Sequence, residues 1–361
     1  MSKSQIANRK SQEVEVLDAE VGPVALPAFY VSGESLPGQA AERALVPVRE
    51  PTIDEILAAF RSWMRLDVAQ GAASEQTLRA YFADVRQHLV WLAGLGLRPA
   101  QAGEEELKEF RAYLVEQYQV STVGRKLASV RRFYEMAQAR GVIGQNPAAG
   151  LKTPADRTAR EEKVKFLTVE AVRRVLAAPN RNEPKGIRDK AVLVLMALHG
   201  LRVIEVSRAD LADLDLEAGE AGTLKVLGKG NKERGILLTE ETREIVKMWL
   251  AVRGLMHSGS PALFLTMHWT DAQREPGQRI STRGLRQMVD GYLLAAGVKR
   301  EGVSCHALRH SFATLSLAAG ANLLAISGAL GHSSITTTQV YAKIVDKAAA
   351  NPAKWLVGLL E

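Results

Sequence analysis

Six side chains, far apart in the chain, have the types that phosphodiester chemistry needs. They are Arg202, Lys229, His306, Arg309, His332 and Tyr341. An arginine is a planar fork of donors that grips two phosphate oxygens at once. An imidazole moves protons near neutral pH. A phenol, with an ordinary pKa of about 10, attacks phosphorus only where positive charge or a base draws off its proton. Two guanidiniums and two or three imidazoles would supply both. Gathered in one place, this set would hold a backbone phosphate and attack it with Tyr341.

Each member also has a plainer reading at this stage. Glu205 follows Arg202 at i+3, so the two share a helix face. The carboxylate would orient the guanidinium toward a phosphate, or the two are a simple ion pair. His306, Arg309 and His310 stand at i, i+3 and i+4 and can face one point. His-x3-His beside Cys305 is also zinc spacing. Arg309 within the cluster would repel a dication, and no Glu follows His306, so no metal is expected. Lys229 lies in Gly228-Lys229-Gly230-Asn231-Lys232, at a predicted hairpin tip. It is either a solvated turn lysine or an ammonium that swings into a cleft and protonates a leaving alkoxide. The phosphate-loop spacing Gly-x4-Gly-Lys-Ser/Thr is missing.

The elements that must position these residues are mainly helical. Apolar residues recur at helical spacing from Thr52: Ile53, Ile56, Leu57 and Phe60, then again over 77–95, 104–117 and 121–140. Ser121 or Thr122 is the expected cap of the last of these, and Gly141 its stop. Residues 151–165 are polar, hold Pro154 and lack apolar periodicity, which predicts a linker. A larger unit, 166–361, opens on a helix capped by Thr168. It carries one predicted β-hairpin, 224–227 and 235–238. The expected fold is therefore mainly α: a helical domain over 51–150, then a larger, mainly helical domain with a small β-sheet. Residues 1–50 mix Gly, Pro, Ser and charge without period, with five Lys/Arg against seven Asp/Glu, and read as a disordered, net acidic arm.

The bulk properties agree with a nucleic-acid partner without requiring one. The 361-residue chain has a formal charge of +7. A single cysteine, Cys305, excludes an intrachain disulfide and predicts a cytoplasmic setting. No apolar run is long enough to cross a membrane. Over 121–140, Arg125, Lys126, Arg131, Arg132 and Arg140 face only Glu135, a local net of +4. Such a stripe predicts phosphate or groove contact, or a solvated helix face.

The blocks Gly200-Leu-Arg-Val-Ile-Glu-Val, Gly228-Lys-Gly-Asn-Lys-Glu-Arg, His306-Ala-Leu-Arg-His-Ser-Phe-Ala-Thr and Leu330-Gly-His-Ser-Ser-Ile-Thr-Thr-Thr-Gln-Val-Tyr occur in this order. In this the chain resembles the tyrosine recombinase (phage integrase) family, most closely its Xer-like members, over about residues 52–345. The resemblance implies a site-specific recombinase that needs no cofactor. Arg202 and Arg309 would clamp the scissile phosphate, and Tyr341 would form a 3′-phosphotyrosyl link. Lys229 would protonate the leaving 5′ oxygen. His306 would serve as base and His332 as hydrogen-bond donor, with Glu205 and His310 in support. It further implies a core-binding role for residues 51–150, a two-domain clamp on duplex DNA, and a tetramer on two sites. The apolar tail 348–360 would dock on a neighbouring protomer or pack on its own domain. Ile204, where Ser is common in the family, and the long arm are departures. A silent DNA-binding accessory factor and a type IB topoisomerase are the competing classes.

Overall fold

The computed structural model describes residues 51–67, 74–156, 158–228, 232–267, 276–332 and 334–349. The expectations for the arm 1–50, for Lys229 and the hairpin tip, and for the tail from 350 onward lie outside the described residues. The chain divides into two compact units, Met1–Arg157 and Thr158–Glu361.

The first unit is built on helices α1 (Ile53–Asp67), α2 (Glu75–Gly94), α3 (Glu104–Gln117) and α4 (Val120–Ala139). α1 starts where Thr52 and Glu55 exchange hydrogen bonds, the Glu55 carboxylate accepting Thr52 N–H at 2.7 Å and Thr52 Oγ1 accepting Glu55 N–H at 3.3 Å. α2 starts at Ser74, whose hydroxyl accepts the Thr77 N–H. α4 differs from expectation. Its N-cap is Gln119, with no side-chain cap bond, and Ser121 lies inside the first turn. Its end agrees: Gly141 has a φ of 69° just beyond. The apolar faces close on a core of Phe60, Leu89, Leu92, Phe110, Leu114, Leu127 and Tyr134. Each such side chain, fully buried, contributes about 1.5–3 kcal/mol.

The second unit holds α5 (Arg160–Lys163), α6 (Val169–Ala177), α7 (Pro184–Leu198), α8 (Val203–Arg208), β1 (Leu214–Asp215), β2 (Thr223–Leu227) and β3 (Glu233–Leu237). It continues with α9 (Glu240–Gly254), α10 (Thr282–Ala295), α11 (Cys305–Ala318), α12 (Leu323–Leu330) and α13 (Thr336–Ala349). Thr168 caps α6 as expected. α7 is the spine, buried continuously from Ala191 to Ala197 and packed against α9 and α11. The sheet is antiparallel in the order β1-β2-β3, with Leu224 opposite Ile236. Leu224, Val226 and Ile236 point inward to the core, while Lys225 and Glu233 pair on the outer face at 2.9 Å. β1 was not anticipated; two residues are too few to show an alternating pattern.

Candidate active site

Two left-handed glycines shape the backbone around the site. Gly200, with a φ of 68°, turns the chain out of α7. A Cβ there would lie 2.5 Å from Phe312 and 2.9 Å from Leu330, so only glycine fits. Gly331, with a φ of 62°, ends α12, and a Cβ there would meet Arg234 at 2.9 Å. The first turn delivers Arg202 at the N-cap of α8, and the second delivers His332.

Arg202 and Arg309 converge on one atom. Arg309, from α11, is 5% exposed and donates to the carbonyl oxygens of Gly200 and Leu330, each at 2.6 Å. Arg202 Nη1 donates to the same Leu330 oxygen at 3.2 Å. The Arg202 side chain is 27% exposed, so it forms the open side of the pair. Burial first, then the Arg202 charge, pull the Arg309 pKa down to about 10, which still leaves it charged at neutral pH.

Glu205 anchors this arrangement. Its side chain is fully buried and accepts four hydrogen bonds. Arg202 gives its backbone N–H and Nη1, each at 2.8 Å. Arg234, from β3, gives Nη1 at 2.9 Å and Nη2 at 3.0 Å. Burial pushes the carboxyl up, but the Arg234 bonds, the Arg202 backbone N–H, the Arg234 charge and the Arg202 side-chain bond outweigh it and hold the pKa below the usual range. Arg234 Nε also donates to Ala329 O at 2.9 Å, tying the sheet to the end of α12. Arg234 thus joins three of the site's segments. It lies inside the Gly228–Arg234 block, but a buried partner 29 positions back leaves no local spacing signal of its role.

The imidazoles divide the remaining contacts. Arg309 Nη2 donates to His332 Nε2 at 3.3 Å, so the ring's proton is on Nδ1, which donates to Thr338 Oγ1 at 2.8 Å. Burial, then Arg309, Arg202, Arg234 and His310, hold His332 down at about 4. His310 Nδ1 lies 2.9 Å from the Tyr341 hydroxyl. Burial, His306 and Arg309 hold it at about 4 as well. His306 is also lowered, by burial and then Arg286, Arg309 and Arg202. The sequence reading placed His306 on the phenol and His310 behind it; the structure puts His310 in contact.

Tyr341 comes from α13, with its ring packed among Ala313, Ile326 and Leu330 and only 3% of its surface exposed. Its hydroxyl is near enough to Arg309 and Arg202 for both charges to favour the phenolate, yet burial outweighs them and the phenol is raised. Surrounding positive charge alone does not make this phenol acidic, because desolvation wins. Among the described residues no group of three His, Cys, Asp or Glu is placed to hold a metal ion.

The basic stripe of α4 is partly spent inside its own unit. Lys126 is buried and donates to Asp84 at 3.2 Å and to Gln87 at 2.6 Å. Arg131 donates to the carbonyls of Ala148 and Leu151, holding the segment after α4. Arg125 pairs with Asp84, and Arg132 with Glu135 at 2.6 Å. The latter two keep 45% and 48% of their side chains exposed. Counting charges in the sequence missed Asp84, which comes from another helix.

A helical unit followed by a mainly helical one with two arginines, imidazoles and a tyrosine gathered at one point defines a class, a DNA strand transferase of the tyrosine type. Comparison with known proteins gives the family. The phage integrase family model matches residues 165–347, and the N-terminal SAM-like domain of phage integrases matches residues 49–141. A tyrosine recombinase XerC from Pelobacter propionicus is 34% identical over 275 residues, covering 75% of this chain and 85% of that one. A tyrosine recombinase XerD from Xanthomonas campestris pv. campestris is 35% identical over 322 residues, covering 86% and 94%. In fold, the XerH site-specific recombinase bound to a palindromic difH substrate aligns with a TM-score of 0.67 at 20% identity, covering 83% and 84%. The chain belongs to the phage integrase family of tyrosine recombinases, enzymes that cut and rejoin DNA.

Proposed function

We propose that the chain is a site-specific DNA recombinase that stores the broken strand as a 3′-phosphotyrosyl ester on Tyr341. The observation that carries the reading is the convergence of Arg202 and Arg309 on the Leu330 oxygen, with the Tyr341 phenol within reach of both charges. A scissile phosphate would take the place of that carbonyl as their acceptor. Arg202, Arg234 and Arg309 against the Glu205 carboxylate leave two positive charges in excess, since three minus one is two and the histidines are neutral. The attacked phosphate gains negative charge as it becomes five-coordinate. A fixed excess of positive charge therefore favours the transition state over the ground state.

In this reading the Tyr341 oxygen bonds to phosphorus as the bond to the 5′ oxygen breaks. The released alkoxide takes a proton from Lys229, the role that family membership assigns to that residue. Religation runs the same step backwards with a different 5′ hydroxyl, so the ester's energy is kept. His332 would donate to a phosphate oxygen once the phosphate's charge lifts it from its neutral state. Residues 51–150 would act as the core-binding domain, with Arg125 and Arg132 as the α4 side chains best exposed for backbone contact. Double-stranded DNA would be the partner; the XerH structure of similar fold is bound to a palindromic difH substrate. Assembly as a tetramer through the tail is part of the same proposal.

The test is covalent trapping on a library of randomised duplexes, each nicked so that a short 5′-hydroxyl fragment diffuses away after cleavage. A recombinase yields complexes stable to denaturant, enriched in one sequence and absent for Tyr341→Phe. Trapping without sequence preference would instead indicate topoisomerase-like relaxation. No trapping would indicate a silent accessory protein.

A further inference from the structure

We propose that His310 is the base that receives the proton of the Tyr341 phenol. The inference rests on the reading of Tyr341 as the nucleophile. With 3% of its surface exposed, Tyr341 is closed to bulk water, so its proton must pass to a neighbouring side chain. His310 Nδ1, at 2.9 Å, is the hydrogen-bond partner of that hydroxyl among the described residues. The rings lie 5.8 Å apart between centroids at 47°, a tilt that leaves the hydroxyl free to reach the imidazole edge. His332 is committed at both nitrogens, to Arg309 and to Thr338. His306 makes no hydrogen bond to the phenol among the described residues. Adjacency fixes the geometry: Arg309 and His310 are consecutive on α11, so the residue that holds the phosphate and the one that holds the nucleophile move together.

The step balances without a co-reactant. The phenol O–H bond breaks, its proton goes to Nδ1, and the oxygen's electron pair forms the bond to phosphorus. The P–O bond to the 5′ oxygen breaks, and the leaving alkoxide is protonated separately. On religation the imidazolium returns its proton to the departing phenolate. Burial, His306 and Arg309 keep the imidazole neutral in the DNA-free chain, which leaves its lone pair available. A phosphate between Arg202 and Arg309 offsets the Arg309 charge and raises the basicity of His310 as the substrate arrives.

Two measurements test this. In the full-length, DNA-free chain with nitrogen-labelled histidine, His310→Gln identifies the His310 signals in the wild-type spectrum. The proposal expects the proton on Nε2 and an unprotonated, hydrogen-bonded Nδ1. A proton on Nδ1, donated to the phenol oxygen, overturns it. In single-turnover trapping on the duplex recovered from the library, His310→Gln should slow covalent-complex formation by about 10²–10⁴-fold. A fluorinated tyrosine at position 341, with its more acidic phenol, should restore at least about tenfold of that loss. The same replacement should give no such recovery in His306→Gln. Wild-type trapping with an unimpaired His310→Gln, or recovery confined to His306→Gln, sinks the His310 assignment alone. Failure of the wild-type chain to trap removes the nucleophile reading and this proposal with it.

Discussion

Arg234→Met removes the residue that ties the sheet, the arginine pair and the end of α12 together. Methionine keeps most of the stem's volume, so the change isolates the guanidinium. Lost are the two bonds to Glu205, at 2.9 and 3.0 Å, and the bond to Ala329 O at 2.9 Å. Glu205 is fully buried, and stripping one partner from a buried ion pair costs about 3–5 kcal/mol. That is a large part of a typical domain's total of about 5–15 kcal/mol. The effect has a direction in pH. Glu205 is held below the usual carboxylate range, so its contribution is present near neutrality and lost as pH falls through its folded pKa. Arg234 is the largest opponent of burial at that carboxyl. Without it the pKa rises, and the loss begins at a higher pH. Urea unfolding at neutral and mildly acid pH reads the first effect. The acid limb of the trapping rate reads the second, because a protonated Glu205 no longer orients Arg202. A stability loss below about 1 kcal/mol together with an unmoved acid limb would refute the role given to Arg234.

Arg309→Ala and Arg202→Ala should each abolish trapping while a gel shift on the recovered duplex stays largely intact; lost binding with preserved folding contradicts the assignment. Gly200→Ala should destabilise by more than about 1 kcal/mol in urea, because a left-handed φ and a 2.5 Å approach to Phe312 coincide there; a neutral result refutes the packing argument. His310, faced by His306, Arg309 and Tyr341, is held at about 4, below its ordinary 6.5. It therefore supplies stability that is complete above about 6.5, lost progressively toward 4, and worth about 3 kcal/mol. His332, partly buried and held down by burial first and then by Arg309, Arg202 and Arg234, acts over the same interval. Urea midpoints that do not fall over that interval would contradict this, and NMR titration should show both rings rising when the recovered duplex binds. DNA affinity should drop steeply with salt, and a flat response would count against a phosphate-dominated interface.

Local patterns were the legible part of the sequence. Gly141 and the i, i+3, i+4 set on α11 could be read because each depends on neighbours within a turn. So could the Thr168 cap and the β2–β3 hairpin. What escaped was set by contacts distant in sequence. Asp84 on α2 absorbs Lys126 of α4, which turned an apparent surface charge into a buried one. The Arg234–Glu205 fork and the shared Leu330 oxygen join segments that no spacing rule links. Tyr341 misled for a different reason. Counting nearby cations predicts an acidic phenol, but desolvation depends on packing, and Ala313, Ile326 and Leu330 enclose the ring. The preference of the phenol for His310 over His306 likewise follows from where α13 lies on α11, a matter of tertiary packing.

The central claim concerns one covalent bond. Nuclease and protease digestion of the trapped complex, followed by mass spectrometry, locates it. The account predicts a nucleotide joined through its 3′ phosphate to the Tyr341 oxygen. An adduct on any other side chain, or a 5′-phosphate linkage, would contradict it.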